Sequence, residues 1–273
     1  MAAAAADYAR SIVDGDTLAA KLVRPPDDLD LEAPRAELRI ATPGRPPALA
    51  IVGSRAPGAR VPPVAGMRDP AQRARILHAL ANHELQAIEL FAWAILAYPD
   101  APPAFHRGAL AILADEQRHL ELYSARMAAL AGGVAFGDYP VTGHFWNKLD
   151  HLATPADFVC AMSLTFENAN LDFAGDYERA AAACGDADTA AALAQVHADE
   201  IRHVHFGYVW LRRFATGEPP WQAYTARARF PLGPRRARGA TFDRASRERA
   251  GLDDDFIAGL AAAEPVRPSG ESR

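Results

Sequence analysis

The stretch Ala114-Asp115-Glu116-Gln117-Arg118-His119 returns as Ala198-Asp199-Glu200-Ile201-Arg202-His203, 84 positions later. Each copy places a glutamate three residues before a histidine. On an α-helix that spacing puts both side chains on one face, so a carboxylate oxygen and an imidazole nitrogen can reach a common ion. Each copy also has a glutamate upstream on a separate apolar stretch: Glu84 lies 32 positions before Glu116, and Glu167 lies 33 before Glu200. A single Glu-x-x-His on a surface helix is usually a solvated pair. Two copies with matched upstream glutamates predict instead a set of four carboxylates and two imidazoles: Glu84, Glu116, His119, Glu167, Glu200 and His203. This is the donor set of two iron or manganese ions held inside a four-helix bundle.

Capping signals around these motifs predict four long helices. Asp69-Pro70 opens the first, which runs to about Ala97, and Pro102-Pro103 opens a second that Gly132-Gly133 closes. Thr154-Pro155 starts a third that Gly185 ends, and Asp186 caps a fourth that stops just short of Gly217. The first-to-second and third-to-fourth connections are a few residues long and must join antiparallel neighbours. The connection from Gly133 to Ala153 is longer and can cross the length of a bundle, with a short helix predicted around His144 to His151. The expected fold is therefore all-α, two antiparallel hairpins joined by one long crossover. Glu84 lies 13 residues before Ala97 and Glu116 lies 14 after Pro102, which places them level. Glu167 lies 18 before Gly185 and Glu200 lies 14 after Asp186, a mismatch of about one turn.

Helical periodicity sets Glu84 on the face with Leu77, Leu80, Ala81, Ile88, Phe91 and Ile95. The other three glutamates fall on similar apolar stripes. A buried carboxylate left unpaired costs several kcal/mol, and two divalent cations neutralise four of them. Mixed oxygen and nitrogen donors suit iron or manganese better than zinc, and both Fe/Fe and Mn/Fe pairs fit. Asp115, Arg118, Asp199 and Arg202 recur at matching offsets. Each Asp can serve the histidine of the opposite helix while the Arg fixes the Asp; a surface salt bridge is the alternative. Tyr123, one turn past His119, is the candidate catalytic side chain: a phenol there can hydrogen-bond the site or be oxidised by it, or serve as ordinary core filling. Gly207 takes the corresponding place after His203, which either leaves space for oxygen or substrate or permits close helix packing. Asn170 and His197 are further candidates for supporting the ligands, whereas His78, His83 and His205 fall off the ligand faces.

Half of the 273 residues are apolar, enough for a sizeable core, yet no apolar run approaches the roughly 20 residues of a membrane span. Met1 to Ala6 lacks the features of a secretion signal, so a cytoplasmic protein without membrane contact is expected. Cys160 and Cys184 sit on one predicted helix, about 36 Å apart at ~1.5 Å per residue, too far to bridge. Three regions are expected: 1–66, a helix over Asp7 to Leu22 and then a segment with nine prolines after residue 24; 67–217, the bundle; and 218–273, a C-terminal extension. Net charge is −5, but residues 212–249 hold ten Arg against Glu218, Asp243 and Glu248. That basic stretch can contact RNA, or pair with the acidic bundle or solvent.

His83-Glu84-Leu85-Gln86-Ala87-Ile88-Glu89-Leu90, the two Asp-Glu-x-Arg-His motifs and Glu167 in Thr165-Phe166-Glu167-Asn168-Ala169-Asn170-Leu171-Asp172 resemble the ferritin-like superfamily. Closer still is the likeness to an uncharacterised ferritin-like family related to the tRNA-hydroxylating di-iron monooxygenases. It is carried also by Phe136-Gly137-Asp138-Tyr139-Pro140-Val141 and by the arginine-rich tail at 236–251, and it covers about 68–255. The resemblance implies a non-haem di-iron (or Mn/Fe) oxidoreductase that takes molecular oxygen as co-substrate and hydroxylates or otherwise oxidises an organic molecule. A small-molecule substrate, an external electron donor and a monomer or small homo-oligomer are the expected partners, with tRNA a further candidate. An iron-handling or peroxide-scavenging protein is the alternative, and a metal-stabilised structural bundle a third. The long extensions favour the enzyme, since they can wall off a substrate pocket. No Cys-rich iron motif of the rubrerythrin kind is present.

Overall fold

A computed structural model describes residues 4–130 and 132–265; positions 266–273, the end of the expected C-terminal extension, lie outside the described residues. Among the described residues the chain is mostly helical, with two short strands, and it forms two units, Met1–Pro62 with Asp69–Asp150, and Pro63–Arg68 with His151–Arg273.

The first unit begins with α1 (Ala5–Asp14) and α2 (Leu18–Lys21). One helix was expected over this stretch. It breaks at Gly15, and Thr17 caps α2 by accepting from the amide of Ala20. Lys21 then folds back, its ammonium donating to the carbonyls of Ile12 (2.7 Å) and Val13 (2.8 Å) at the C-terminal end of α1. The proline-rich stretch that follows includes a 3₁₀ turn, Pro47–Leu49, and β1 (Ile51–Val52), and leads into another, Val64–Arg68. β1 pairs in parallel with β2 (Val141–Thr142) of the crossover. Another 3₁₀ turn, Trp146–His151, stands where the short crossover helix was expected.

Between these segments lies the hairpin of α3 (Pro70–Ala97) and α4 (Pro103–Ala129). Asp69 caps α3 as its sequence predicts, accepting from the amides of Ala71 and Gln72. From Ala74 onward α3 is buried nearly all round, because α1 as well as α4 packs on it. A helix so enclosed must satisfy every polar side chain internally. Glu89, fully buried, does so with three partners: Lys21 at 3.2 Å, Arg45 at 2.6 Å and the indole N–H of Trp146 at 2.7 Å. The amino-terminal segment is thereby anchored to α3 by charge as well as by apolar packing.

The second unit carries the other hairpin. Thr154 and Asp157 form a reciprocal capping box at the start of α5 (Pro155–Ala161). The expected continuous third helix is interrupted: Met162–Glu167 is π-helical, and α6 (Asn168–Ala183) resumes the α form. Gly185, at φ +82°, makes the turn, and Asp186 caps α7 (Ala187–Phe214). The extension then forms α8 (Pro220–Arg227), α9 (Arg244–Arg249) and α10 (Asp254–Ala262). Asp172 of α6 fastens it. This carboxylate is fully buried among a bidentate Arg247 (2.8 and 2.9 Å) and the amides of Gly239 (2.8 Å) and Asp243 (2.7 Å). Of the readings of the basic stretch, pairing with an acid of the long helices holds for Arg247, whereas Arg227 with Glu218 and Arg244 with Glu248 pair inside the extension itself. Both cysteines are free, Cys160 buried and Cys184 half-buried. Among the described residues no helix is long and apolar enough to cross a membrane.

Candidate metal centre

In the first unit, α3 presents Glu84 and α4 presents Glu116 and His119, all nearly inaccessible to solvent. One donor atom of each lies within 4.8 Å of the others. His119 Nδ1 stands 3.3 Å from Glu116 Oε2 and 3.9 Å from Glu84 Oε2. Burial first, and then the neighbouring Glu116 carboxylate, hold the Glu84 carboxyl well above the usual carboxylate range. Two carboxylates this close in an apolar setting need a proton or a cation between them.

The second unit repeats the arrangement. Glu167, Glu200 and His203 are buried, with one donor atom of each within 4.8 Å of the others. His203 Nδ1 lies 3.3 Å from Glu200 Oε2, the same separation as in the first cluster. Asn170 donates to Glu200 Oε1 at 2.8 Å. The one-turn mismatch in loop distances does not keep Glu167 from Glu200, since their donor atoms meet within 4.8 Å.

Around the clusters, Asp115 pairs with Arg118 at 2.9 Å, and Asp199, almost fully buried, pairs with Arg202 at 2.7 Å and accepts from Gln195 at 3.1 Å. Tyr123 is buried one turn beyond His119. His197 departs from expectation. Its Nε2 lies 3.3 Å from both Asp243 and Ser246, so it meets the C-terminal extension rather than the ligand cluster. Gly207 resolves to close packing, because a Cβ there would fall 2.2 Å from Cβ of Ser163. No open space replaces the tyrosine of the first hairpin at that point.

The histidines set aside on the sequence have other partners. His78 accepts from the amide of Gly137 at 3.0 Å, and His205 Nδ1 lies 2.9 Å from the carbonyl of Ala250. His106 links Arg35 (2.7 Å) to the carbonyl of Tyr98 (2.9 Å). Burial is the main cause that lowers both His78 and His106 to about 4. Unfolded histidine takes its proton near 6.5, so between about 6.5 and 4 the unfolded chain binds more protons than the folded one. Stability is full above that window and falls as pH drops through it, by up to about 1.4 kcal/mol per pH unit for each histidine. Urea midpoints measured from pH 7 to 4.5 should show this slope, flattened in His78→Gln or His106→Gln; equal slopes in wild type and both variants would contradict it.

Sequence reasoning passed over Glu89 and Asp172, yet each lies five residues after a candidate ligand, Glu84 and Glu167 respectively. The internal repeat therefore extends beyond the hexapeptide: each hairpin's first helix carries a ligand-type glutamate and then a buried acid that receives a cation. The π-helical stretch was also missed, and it has no local sequence signal.

A mostly helical chain with two matching, buried Glu/Glu/His clusters, one per hairpin, is the class that fold and site define. Residues 4–258 match the family described as "Protein of unknown function (DUF455)", and the chain belongs to that family. No curated protein and no solved structure matches it.

Proposed function

We propose that this protein is a non-haem di-iron oxidoreductase, with Mn/Fe an equally suitable pair. In this reading the two hairpins make a ferritin-like four-helix bundle, and Glu84, Glu116, His119, Glu167, Glu200 and His203 hold the ions. The observation that carries it is a contrast among buried acids, drawn most directly between Glu84 and Glu89 on α3. Glu89 and Asp172 are buried and receive Lys21, Arg45 and Arg247. Glu84 and Glu200 are as deeply buried, but among the described residues no lysine or arginine pairs with either. Glu200 Oε2 has no hydrogen-bond donor among the described residues. The chain provides cations for Glu89 and Asp172 but sets Glu84 beside Glu116 and His119, and Glu200 beside His203 and Asn170, which is the fit expected of metal ligands.

Bound there, reduced iron supplies the chemistry by which molecular oxygen oxidises an organic substrate. The protein's own contributions are distinct. Four carboxylates balance the charge of two divalent ions, and Asn170 fixes the orientation of Glu200. Asp115 and Asp199 pair with Arg118 and Arg202 beside the two Glu-x-x-His pairs, and apolar stripes exclude bulk water. Tyr123 provides a hydroxyl one turn from His119. An external donor returns the electrons.

Reconstitution under anaerobic iron should give two ions per chain, release protons as buried carboxyls ionise, and raise the melting temperature relative to chelator-treated protein. Fewer than one ion per chain, or an unchanged melting temperature, would refute the reading. On aeration the reduced protein should consume oxygen without laying down mineral. Tens of irons per chain in a cage-sized assembly would indicate iron storage, and peroxide decay outpacing oxygen uptake would indicate a scavenger.

A further inference from the structure

The backbone that carries Glu167 is held in an uncommon form from outside. A π-helical turn is rare and persists only where its surroundings secure it. Met162–Glu167 is such a turn, with Glu167 as its last residue. Three elements that follow it in the chain close on it.

The first is α8. Thr165 Oγ1 donates to the carbonyl of Cys160 at 2.7 Å, five residues back, and lies 2.9 Å from the hydroxyl of Tyr224. The threonine proton is committed to Cys160, so Tyr224 is the donor in the second bond. Tyr224 is fully buried, and burial pushes its phenol up beyond the ordinary tyrosine range, so it keeps that proton under all working conditions. The second element is α7, where Gly207 lets the backbone approach Ser163 more closely than any side chain would allow. The third is α9. Arg247, anchored on Asp172, donates to the carbonyl of Asn168 at 3.1 Å, one residue beyond Glu167.

We infer that the C-terminal extension positions Glu167, with Tyr224 acting through Thr165 on the π-helical turn. This inference rests on the di-metal reading. Tyr224 belongs to neither ligand cluster, so it is a positioning residue; removing its hydroxyl deletes no metal-ligating atom and almost no volume. The consequence falls on one ion: the site completed by Glu167 loses a correctly placed carboxylate, while the site built on Glu84, Glu116 and His119 keeps its own.

The test uses the full chain and Mn²⁺ as the probe, with binding followed by isothermal titration and by electron paramagnetic resonance. Wild type should bind two ions. Tyr224→Phe and Thr165→Val should bind one with unchanged affinity and the other at least about tenfold more weakly, the size seen when groups supporting a metal ligand are lost. Thr165→Ser, which keeps the hydroxyl, should restore the second ion. A purely structural role would lower the unfolding temperature and leave both affinities at wild-type values; that result overturns the inference and spares the di-metal reading. Wild type that binds no Mn²⁺ overturns both. If Tyr224→Phe fails to fold, the Thr165→Val and Thr165→Ser pair decides alone, because equal second-site affinity in the two would also overturn the inference.

Discussion

Alanine at His119 or His203 should remove one of two bound ions and abolish oxygen uptake while leaving a mostly helical protein. Each imidazole is the nitrogen donor of its cluster, 3.3 Å from the glutamate three residues before it. Its loss leaves oxygen donors alone in an apolar pocket, and alanine cannot substitute. Loss of groups that merely support a ligand weakens metal binding about 10–100-fold, so loss of the ligand itself should exceed that range. The helices survive because α3, α4, α6 and α7 are held by apolar burial along their lengths rather than by the site. Metal analysis should fall from two ions per chain to one, with the circular dichroism spectrum unchanged. Two ions retained in either variant would remove that histidine from the ligand set.

Glutamine at Glu84 and at Glu89, five residues apart on α3, should shift the metal-free protein in opposite directions. Glu84 is buried beside Glu116, and its carboxyl is held well above the usual range. A raised acid loses its proton more readily in the unfolded chain, so above the ordinary carboxyl range it works against folding. Glu84→Gln removes that penalty and stabilises the metal-free state, but the variant should hold fewer than two ions. Glu89→Gln does the reverse. It leaves the ammonium of Lys21 and the guanidinium of Arg45 buried without a counter-charge, a change that typically costs about 3–5 kcal/mol. Metal content should stay at two. Urea unfolding in chelator separates the cases, and a shift of the same sign in both variants would refute the division of α3 into a ligand acid and a structural acid.

That division explains what could be read from the chain and what could not. Capping at Asp69, Thr154 and Asp186 was legible because a cap is decided by residues two or three apart. The Glu-x-x-His pairs were legible for the same reason, since helical geometry alone brings Glu116 to His119 and Glu200 to His203. Glu84 emerged from its register with Glu116 across a short loop. Glu89 resembles Glu84 in composition of surroundings, but at 100° per residue it points about 140° away. Its cations come from Lys21 and Arg45, in segments whose path is not written in any local pattern. His197 was misassigned likewise: it sits at the edge of an apolar stripe, and only the docking of the extension shows that it faces Asp243.

The sequence by itself determined the helices, their caps and the two Glu-x-x-His pairs, because each depends on interactions within one or two turns of the chain. Only the tertiary structure decided which buried acids receive a protein cation, and that Gly207 serves packing against Ser163. It alone also revealed the π-helical turn ending at Glu167. Those outcomes depend on groups 40 to 80 residues apart that meet only when the chain folds, such as Thr165 with Tyr224 and Asp172 with Arg247. Burial gives such meetings their energy, since a charge or hydroxyl removed from water must find its partner wherever the fold places one.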